Sequence, residues 1–335
     1  MQINDTKMKK IGLIYEITNN PYFDLNAVGY SNRLSEFVYP SEINDICQAL
    51  RAAGYQYELI DGAQGLINLI VAEKDFDLIF NKSIGFKGLE RKIAVPAICQ
   101  MYNLSRIGSG AYAMTLARHK YHTNRLLNGL GYKVPFACMY VPGASLAYIP
   151  SYPVIVKPNE ESDSLGITEN SVCFSRKQLE ATIYNLQKDF NQSLIIEEYI
   201  AGEEWKVAVI GNKDNTHACG CVNSMKNGKT MLNTLQTRDD ILKDTLSFVP
   251  VEHPLVKDAL KVAEEIHVKL ELNDYSRCDF RLGKDNSLYC MEVSTHPEIS
   301  QTNSSFIEAA KQSYGDYNSV ISKILLAAEE RYKTD

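Results

Sequence analysis

Residues 275–304 have the sequence YSRCDFRLGKDNSLYCMEVSTHPEISQTNS, and the other motifs of the chain make sense in relation to them. Two strand-like runs, Ser276 to Leu282 and Leu288 to Val293, flank the segment GKDN at 283–286. Glycine, aspartate and asparagine favour turns, so this unit predicts a β-hairpin.

Charged side chains share one face of this hairpin, since strand residues alternate between the two faces of a sheet. Arg277 and Asp279 lie on one face of the first strand, and Glu292 and Ser294 on one face of the second. The hairpin can place Asp279 beside Glu292, and two neighbouring carboxylates need a cation. Mg²⁺, with phosphate oxygens completing its octahedron, is the natural partner. Taken alone, the hairpin is equally compatible with a solvated sheet face.

The composition is that of a globular protein without a nucleic-acid or membrane surface. Its 335 residues, 45% hydrophobic and 23% charged, suffice for two or three lobes around a large core. The net charge of −6 argues against nucleic-acid binding, and no apolar run reaches membrane-spanning length. The polar start MQINDTKMKK is unlike a signal peptide. Eight cysteines without a C-x-x-C pair predict reduced thiols in a cytoplasmic protein.

The first lobe alternates strands and helices. Apolar runs at Ile11 to Tyr15, Tyr55 to Ile60 and Asp77 to Phe80 predict strands, and a helical period lies between the first two. This order predicts an open parallel sheet with helices on its faces, and ligands bind beyond the carboxyl ends of such strands. We therefore expect segment 16–30 and residues 81–83 to line a first-substrate site; for 81–83 an ordinary loop is the alternative. The candidates are Glu16, Tyr22, Asp24, Asn81 and Lys82.

The second lobe carries features of a nucleotide site. One helical stretch, 111–128, contains Lys120, and the β-rich run VIVKP at 154–158 places Lys157 near its end. A loop of small polar residues follows, and its backbone N–H groups can bind phosphate oxygens. A later aliphatic strand, LIIEE at 194–198, ends in acids and could seat an adenine ring, with a carboxylate on the ribose. A lysine after a strand is by itself also compatible with a solvated strand end.

Five segments, taken in order, resemble the ATP-grasp superfamily and, within it, the D-alanine–D-alanine ligase family. They are RIGSGAYAMTLARHK, PVIVKPNEESDSLGI, LIIEEYIAGEEWKVAVIG, RCDF and MEVSTHPEIS. The resemblance covers Arg106 to Tyr332 and is weaker in the first lobe. It implies an α/β ATP-grasp fold, in which an N-terminal open parallel α/β sheet precedes two subdomains that clamp the nucleotide. The implied boundaries are 1–106, 107–193 and 194–335.

The resemblance also implies an ATP site built from eight residues. Two lysines grip the phosphates, a loop covers them, a hinge holds the adenine, and a carboxylate holds the ribose. In that order these are Lys120 and Lys157; Ser164 and Gly166; Glu197, Glu198 and Ile200; and Glu204.

A metal site and a catalytic group follow from the same resemblance. The metal ligands would be Asp279, Glu292 and Ser294, for one or two Mg²⁺ ions, with Mn²⁺ as a substitute. The catalytic residues would be Arg277, Lys157 and Ser164. Arg277 matches the arginine that steadies the acyl phosphate and the tetrahedral intermediate. A guanidinium suits this role because it keeps its charge.

The substrate region departs from the family pattern. The family's Glu-x-Asn ends here in Ser294, its Pro-Gly turn is Pro297-Glu298, and one of its paired loop serines is Asp163. These changes predict a product other than D-alanyl-D-alanine. The substrate candidates in these segments are Asp163, Glu298, Asn303 and Ser304.

The function that these patterns predict is ATP-dependent carboxylate–amine ligation through an acyl phosphate, with release of ADP and phosphate. The substrates would be two amino acids, or a small carboxylate and an amino acid. The resemblance also implies a homodimer. Two alternatives remain: a regulatory nucleotide-binding protein of the same fold that has lost ligation, which Ser294 in place of asparagine supports, and a phosphotransferase that stops at phosphorylation.

Overall fold

The computed structural model describes residues 8–16, 38–85, 88, 90–162, 164–226, 229–230, 246–302 and 304–334. Four predicted substrate residues, Tyr22, Asp24, Asp163 and Asn303, lie outside this part of the chain. Within the described part, no helix is long and apolar enough to cross a membrane.

The first lobe is an open sheet of four parallel strands in the order β2-β1-β3-β4. Three helices cover it, and a short 3-10 turn, Arg91–Ile93, precedes the third. The sheet confirms the predicted architecture. The strands are β1 (Lys10–Tyr15), β2 (Gln56–Asp61), β3 (Leu78–Asn81) and β4 (Arg106–Ile107), and the helices are α1 (Pro40–Ala52), α2 (Gly62–Val71) and α3 (Ala94–Met101).

Two helices connect the first lobe to the second sheet, where the sequence predicts a single helix over 111–128. They are α4 (Ala111–Arg118) and α5 (Lys120–Gly129), and the chain leaves the helical conformation at His119, with ψ near 90°. The cause lies far along the sequence. The carbonyl of Asn159 accepts the Lys120 N–H at 3.1 Å, and its side-chain oxygen accepts the Tyr121 N–H at 2.9 Å. These bonds satisfy the free N–H groups of a new helix start, so Lys120 begins α5 beside the loop that follows Lys157.

The second sheet has four antiparallel strands in the order β5-β8-β6-β7. The strands are β5 (Ala137–Tyr140), β6 (Val154–Pro158), β7 (Val172–Cys173) and β8 (Leu194–Glu198). Helix α6 (Arg176–Asp189) buries Leu179 and Ile183 against this sheet. Because β8 pairs with both β5 and β6, a boundary between residues 193 and 194 would divide a sheet. The pairing favours a division after Glu198, and the three-part organisation stays a prediction.

The third sheet is antiparallel, with the order β11-β10-β9-β13-β14 and with β12 also paired to β10. Strands β13 and β14 form the predicted hairpin. Helices α8 and α9 share an apolar core with the first lobe and with the third sheet, so they join that lobe to that sheet. The strands are β9 (Glu204–Gly211), β10 (His217–Lys226), β11 (Lys229–Thr230), β12 (Leu246–Pro250), β13 (Asp274–Leu282) and β14 (Leu288–Ser294), and the helices are α7 (Val256–Lys269), α8 (Ser305–Tyr314) and α9 (Tyr317–Thr334).

Candidate active site

The hairpin places the predicted metal ligands opposite one another. Asp279 pairs with Glu292, and Arg277 pairs with Ser294, in the register of β13 and β14. The register shifts immediately after Asp279, so that Phe280 faces Cys290 across the strands. The expected juxtaposition of two carboxylates is therefore confirmed, and a bulge lies beside it, as is common near functional sites.

Arg277 and Asp279 form a two-pronged ion pair on this face. Arg277 Nε donates to Asp279 Oδ1 at 2.6 Å, and its Nη2 donates to Asp279 Oδ2 at 2.8 Å. The remaining prong, Nη1, donates to the hydroxyl of Ser305 at 3.3 Å. This geometry fixes the plane of the guanidinium. Ser305 could not be predicted from sequence, because its contact with Arg277 depends on how α8 packs.

The two predicted phosphate lysines each lie beside a carboxylate of one charged cluster. Lys157 Nζ lies 2.6 Å from Glu197 Oε2, and both side chains are buried. Lys120 Nζ lies 3.5 Å from Glu292 Oε1 and also donates to the backbone carbonyl of Glu161. The structure thus brings β6, β8, α5 and β14 together around one cluster of charges.

The electrostatic environment favours the charged forms of Glu292 and Lys157. Burial acts to raise the pKa of Glu292, but Lys120, Lys157 and Arg277 outweigh it and hold that pKa below its usual value. Burial acts to lower the pKa of Lys157, but Glu197 and Glu292 outweigh it and raise that pKa. One third of the Glu292 side chain remains exposed, so this ionised carboxylate can reach a ligand.

The predicted adenine and ribose residues lie at the end of β8 and the start of β9. Glu197 is buried, Glu198 is half-buried, and Ile200 is buried. Arg281 braces this hinge: its Nη1 donates to the Ile200 carbonyl at 3.1 Å, and its Nη2 donates to Glu204 at 2.9 Å. Although Arg281 shares the hairpin face with Arg277, the sequence did not indicate this bracing role.

Glu204 should contribute stability that depends on pH. Burial acts to raise its pKa, but Lys206 and Arg281 outweigh it and lower the pKa to about 2. The folded-state pKa lies below the ordinary value of 4.5, so this contribution is complete above pH 4.5 and is lost as the pH falls toward 2. The difference in free energy of unfolding between the parent and Glu204→Gln should therefore shrink on acidification, as urea denaturation would measure. A difference that is constant with pH contradicts this expectation.

The predicted covering loop is anchored at both ends. Asn159 and Leu165 are buried, and Ser164 between them has a left-handed backbone with φ of 59°. Gly166 has φ of +76°, and a Cβ there would lie 2.7 Å from Cγ of Pro158. Both the conformation and the close approach require glycine at this position. The loop therefore returns tightly onto the strand end that carries Lys157.

Glu16 links the carboxyl ends of β1 and β3, where the sequence predicts the first substrate. Its carboxylate accepts hydrogen bonds from the Ser83 hydroxyl, the Ile84 N–H at 3.0 Å and the Gly85 N–H at 2.9 Å. Burial raises the pKa of Glu16 more than these hydrogen bonds lower it. The side-chain oxygen of Asn81 accepts the Ser83 N–H at 3.0 Å. The two predicted segments meet where the Ser83 hydroxyl donates to Glu16.

Lys82 points into the core. Its ammonium lies 2.9 Å from Glu42 Oε1 of α1 and donates to the Pro297 carbonyl at 3.2 Å, with 1% of the side chain exposed. Burial acts to lower the pKa of Lys82, but the Glu42 carboxylate outweighs it and raises the pKa. These contacts favour a structural junction between the first lobe and the segment after β14.

Glu298 and Ser304 are tied to each other by the same segment. The hydroxyl of Ser304 donates to the Glu298 carbonyl at 2.6 Å and accepts the Ile307 N–H at 3.2 Å, which caps α8. Glu298 Oε1 accepts from the Ser300 hydroxyl at 2.8 Å. The cap explains the burial of Ser304, and a substrate role for either residue stays a prediction.

The donor set fits a metal ion that is held partly by its substrate. Among the described residues, no group of three or more His, Cys, Asp or Glu side chains is arranged to hold a metal ion. Asp279 and Glu292 supply two carboxylates in register, and Ser294 adds a hydroxyl on the strand of Glu292. Mg²⁺ usually takes one or two carboxylates and completes its shell with water and phosphate oxygens, so two are sufficient.

Comparison with known proteins shows the family of the chain. The sequence model of the family described as D-ala D-ala ligase C-terminus matches residues 144–326, more than half of the chain. The D-alanine–D-alanine ligase of Fusobacterium nucleatum is 27% identical over 260 residues, which cover 77% of this chain and 83% of that protein. An uncharacterized protein of Sinorhizobium fredii is 24% identical over 298 residues, covering 86% and 88% of the two chains.

Solved structures share the fold. The D-alanine–D-alanine ligase of Bacillus anthracis complexed with ATP superimposes with a TM-score of 0.74 at 18% identity, over 97% of this chain and 99% of that one. The VanG D-Ala:D-Ser ligase of Enterococcus faecalis gives a TM-score of 0.70 at 16% identity, over 96% and 100% of the two chains. The chain therefore belongs to the D-alanine–D-alanine ligase family and is an ATP-grasp ligase that forms a carbon–nitrogen bond.

Proposed function

We propose that this ligase joins the carboxylate of one small molecule to the amine of another through an acyl phosphate, with release of ADP and phosphate. The substrates are two amino acids, or a small carboxylate and an amino acid. The observation that carries the proposal is the convergence of Lys120, Lys157 and Arg277 on the carboxylates of Asp279 and Glu292. These are the charges that phosphoryl transfer followed by acyl transfer requires.

The first step activates the carboxylate. A substrate oxygen attacks the terminal phosphorus of ATP, and the bond from that phosphorus to ADP breaks. Lys120 and Lys157 hold the phosphate oxygens, and Asp279 and Glu292 would hold Mg²⁺, which neutralises developing negative charge when bound. Support for the adenine site comes from Glu197: among the described residues its buried Oε1 has no hydrogen-bond donor, so it can accept one from a ligand.

The second step forms the amide bond. The amine attacks the acyl carbon, the bond to phosphate breaks, and the proton lost by the amine goes to the departing phosphate. A negatively charged oxygen develops on the acyl carbon, and Arg277 is the group that stabilises it. The two-pronged pair with Asp279 holds the guanidinium in place before the reaction, so little reorganisation is needed in the transition state.

The first-substrate pocket is proposed at the carboxyl ends of β1 and β3. The contacts of Glu16 with residues 83–85 support this position. Ser294, and Glu298 after Pro297, replace the asparagine and glycine of the family pattern and support a product other than D-alanyl-D-alanine.

A phosphate-release screen tests the reaction class. The purified protein is incubated with ATP, Mg²⁺ and pairs of amino acids or small carboxylates, and products are identified by mass. Release of ADP that needs both a carboxylate and an amine is the expected result. ATP binding without turnover would instead indicate a regulatory nucleotide-binding protein. A stable phosphorylated product would indicate a phosphotransferase.

Ser294→Asn should lower the Mg²⁺ concentration that gives half-maximal rate. An amide oxygen is a stronger ligand than a hydroxyl, and Ser294 lies on the strand of Glu292 and opposite Arg277. Rate is titrated against Mg²⁺ for the parent and the variant, with the amine saturating. An unchanged Mg²⁺ requirement together with an altered amine preference would place Ser294 at the second substrate instead.

A further inference from the structure

Glu161 lies where several distant segments meet. It belongs to the loop between Lys157 and Gly166, and only 1% of its side chain is exposed. Its Oε2 accepts from Arg91 Nη2 at 2.8 Å, and its Oε1 accepts from Gln192 Nε2 at 2.8 Å. A second guanidinium, that of Arg118 at the end of α4, lies 3.6 Å away. A buried carboxylate persists only when it is paired, so these contacts fix the loop at this residue.

The backbone of Glu161 also holds a proposed phosphate ligand. Its carbonyl oxygen accepts from Lys120 Nζ, and that ammonium lies 3.5 Å from Glu292 Oε1. A carbonyl is neutral, so it orients the ammonium without cancelling the charge. The charge remains for a phosphate oxygen. The position of Glu161 therefore determines where Lys120 presents its charge.

Arg91 connects this arrangement to the first lobe. Arg91 is the first residue of the 3-10 turn before α3, and its side chain is buried. Gly85 packs directly on it: a Cβ on Gly85 would lie 2.6 Å from the Arg91 carbonyl oxygen. The N–H of Gly85 in turn donates to Glu16 at 2.9 Å. A series of direct contacts thus runs from Glu16, at the proposed first-substrate end, to Glu161 in the nucleotide loop.

We propose that Glu161, held by Arg91, is a positioning residue that fixes Lys120 and the covering loop in the geometry that binds the nucleotide phosphates. This inference rests on the proposed nucleotide site. The residue whose side chain pairs with Arg91 is also the residue whose carbonyl binds Lys120, which a purely stabilising ion pair does not require. Asp274→Asn, which removes the charge from another buried ion pair, separates a positioning role from a purely stabilising one.

Glu161→Gln tests the proposal, because it keeps the side-chain shape and the carbonyl and removes the charge. The probe is the ATP analogue AMP-PNP with Mg²⁺, titrated calorimetrically. We expect the dissociation constant for AMP-PNP to rise about tenfold or more. Saturating AMP-PNP should protect residues 159–166 of the parent from protease, and in the variant cleavage there should persist. Asp274→Asn is the control: Asp274 is fully buried and pairs with Arg331 at 2.8 Å. It should lower Tm while leaving the affinity within about threefold.

Arg91→Gln probes the pair from the other side and carries the test if Glu161→Gln does not fold. It should weaken AMP-PNP binding similarly, and Arg91→Lys should restore part of the affinity. Affinities within about threefold of the parent for both glutamine variants, with Tm lowered as in Asp274→Asn, would overturn the proposal and leave a stabilising ion pair. Failure of the parent itself to bind AMP-PNP would overturn the nucleotide site and this inference with it.

Discussion

Asp279→Asn is expected to lower the rate at least a hundredfold, which is about 3 kcal/mol in the activation barrier. Asparagine keeps the size and shape of the side chain but removes the negative charge that a Mg²⁺ ion would meet beside Glu292. Its NH₂ group also faces the guanidinium of Arg277 with N–H against N–H, so one prong of the pair is lost. The change therefore acts on both steps of the reaction.

The measurement is the rate at saturating substrates over a range of Mg²⁺ concentrations, with AMP-PNP affinity as a second readout. Asp285→Asn is the matched control, since Asp285 lies in the turn of the same hairpin, is about half exposed, and pairs with Lys133. Its substitution should leave the rate within about twofold, because exposed ion pairs contribute little. Full activity of Asp279→Asn at the Mg²⁺ concentration that serves the parent would refute the metal assignment.

The hairpin could be predicted from sequence because its structure is local. Turn-forming residues at 283–286 and alternation on each side place Asp279 opposite Glu292, as the strand register confirms. The parallel first sheet could be predicted for a similar reason, since short apolar runs separated by a helical period leave few arrangements. The order of the later motifs is more specific than any single motif, and that order indicated the ligase family.

Contacts between distant segments could not be predicted in this way. Arg91 and Glu161 are 70 residues apart, and 77 residues separate Arg281 from Glu204. No local pattern marks such partners. Arg91 and Glu161 meet only after the lobes pack, and Arg281 and Glu204 meet only because β13 pairs with β9. The break between α4 and α5 has the same origin: Asn159, which satisfies the start of α5, lies 38 residues beyond Tyr121. A helical period continues through His119 and predicts one helix.

Burial also changes the interpretation of Lys82, although its position after β3 was predicted correctly. Lys82 follows β3 as expected of a ligand-binding loop, yet its ammonium is enclosed between Glu42 and the Pro297 carbonyl. Sequence places a residue at a strand end but does not decide whether its side chain turns toward a ligand or into the core. Tertiary packing decides that, and here it favours a junction between lobes.

Lys157→Ala is expected to raise the dissociation constant for AMP-PNP about a hundredfold, close to 3 kcal/mol of binding free energy, and to abolish turnover. The ammonium is buried, so its contact with a phosphate oxygen is only weakly screened. Its removal has a second consequence, because Glu197 is left as a buried carboxylate without the cation 2.6 Å away. Lower stability is therefore expected alongside weaker binding.

A double variant separates these two effects. Lys157→Met combined with Glu197→Gln removes the stray charge and keeps the volume of both side chains, so Tm should recover toward that of the parent. AMP-PNP affinity should remain weak, because the phosphate contact is still missing and Glu197, a proposed adenine ligand, is changed as well. Lys133→Ala, which removes an exposed lysine from its pair with Asp285, should change neither quantity appreciably. Recovery of nucleotide binding in the double variant would attribute the effect of Lys157→Ala to the unpaired Glu197 carboxylate, and Lys157 would then lose its assignment as a phosphate ligand.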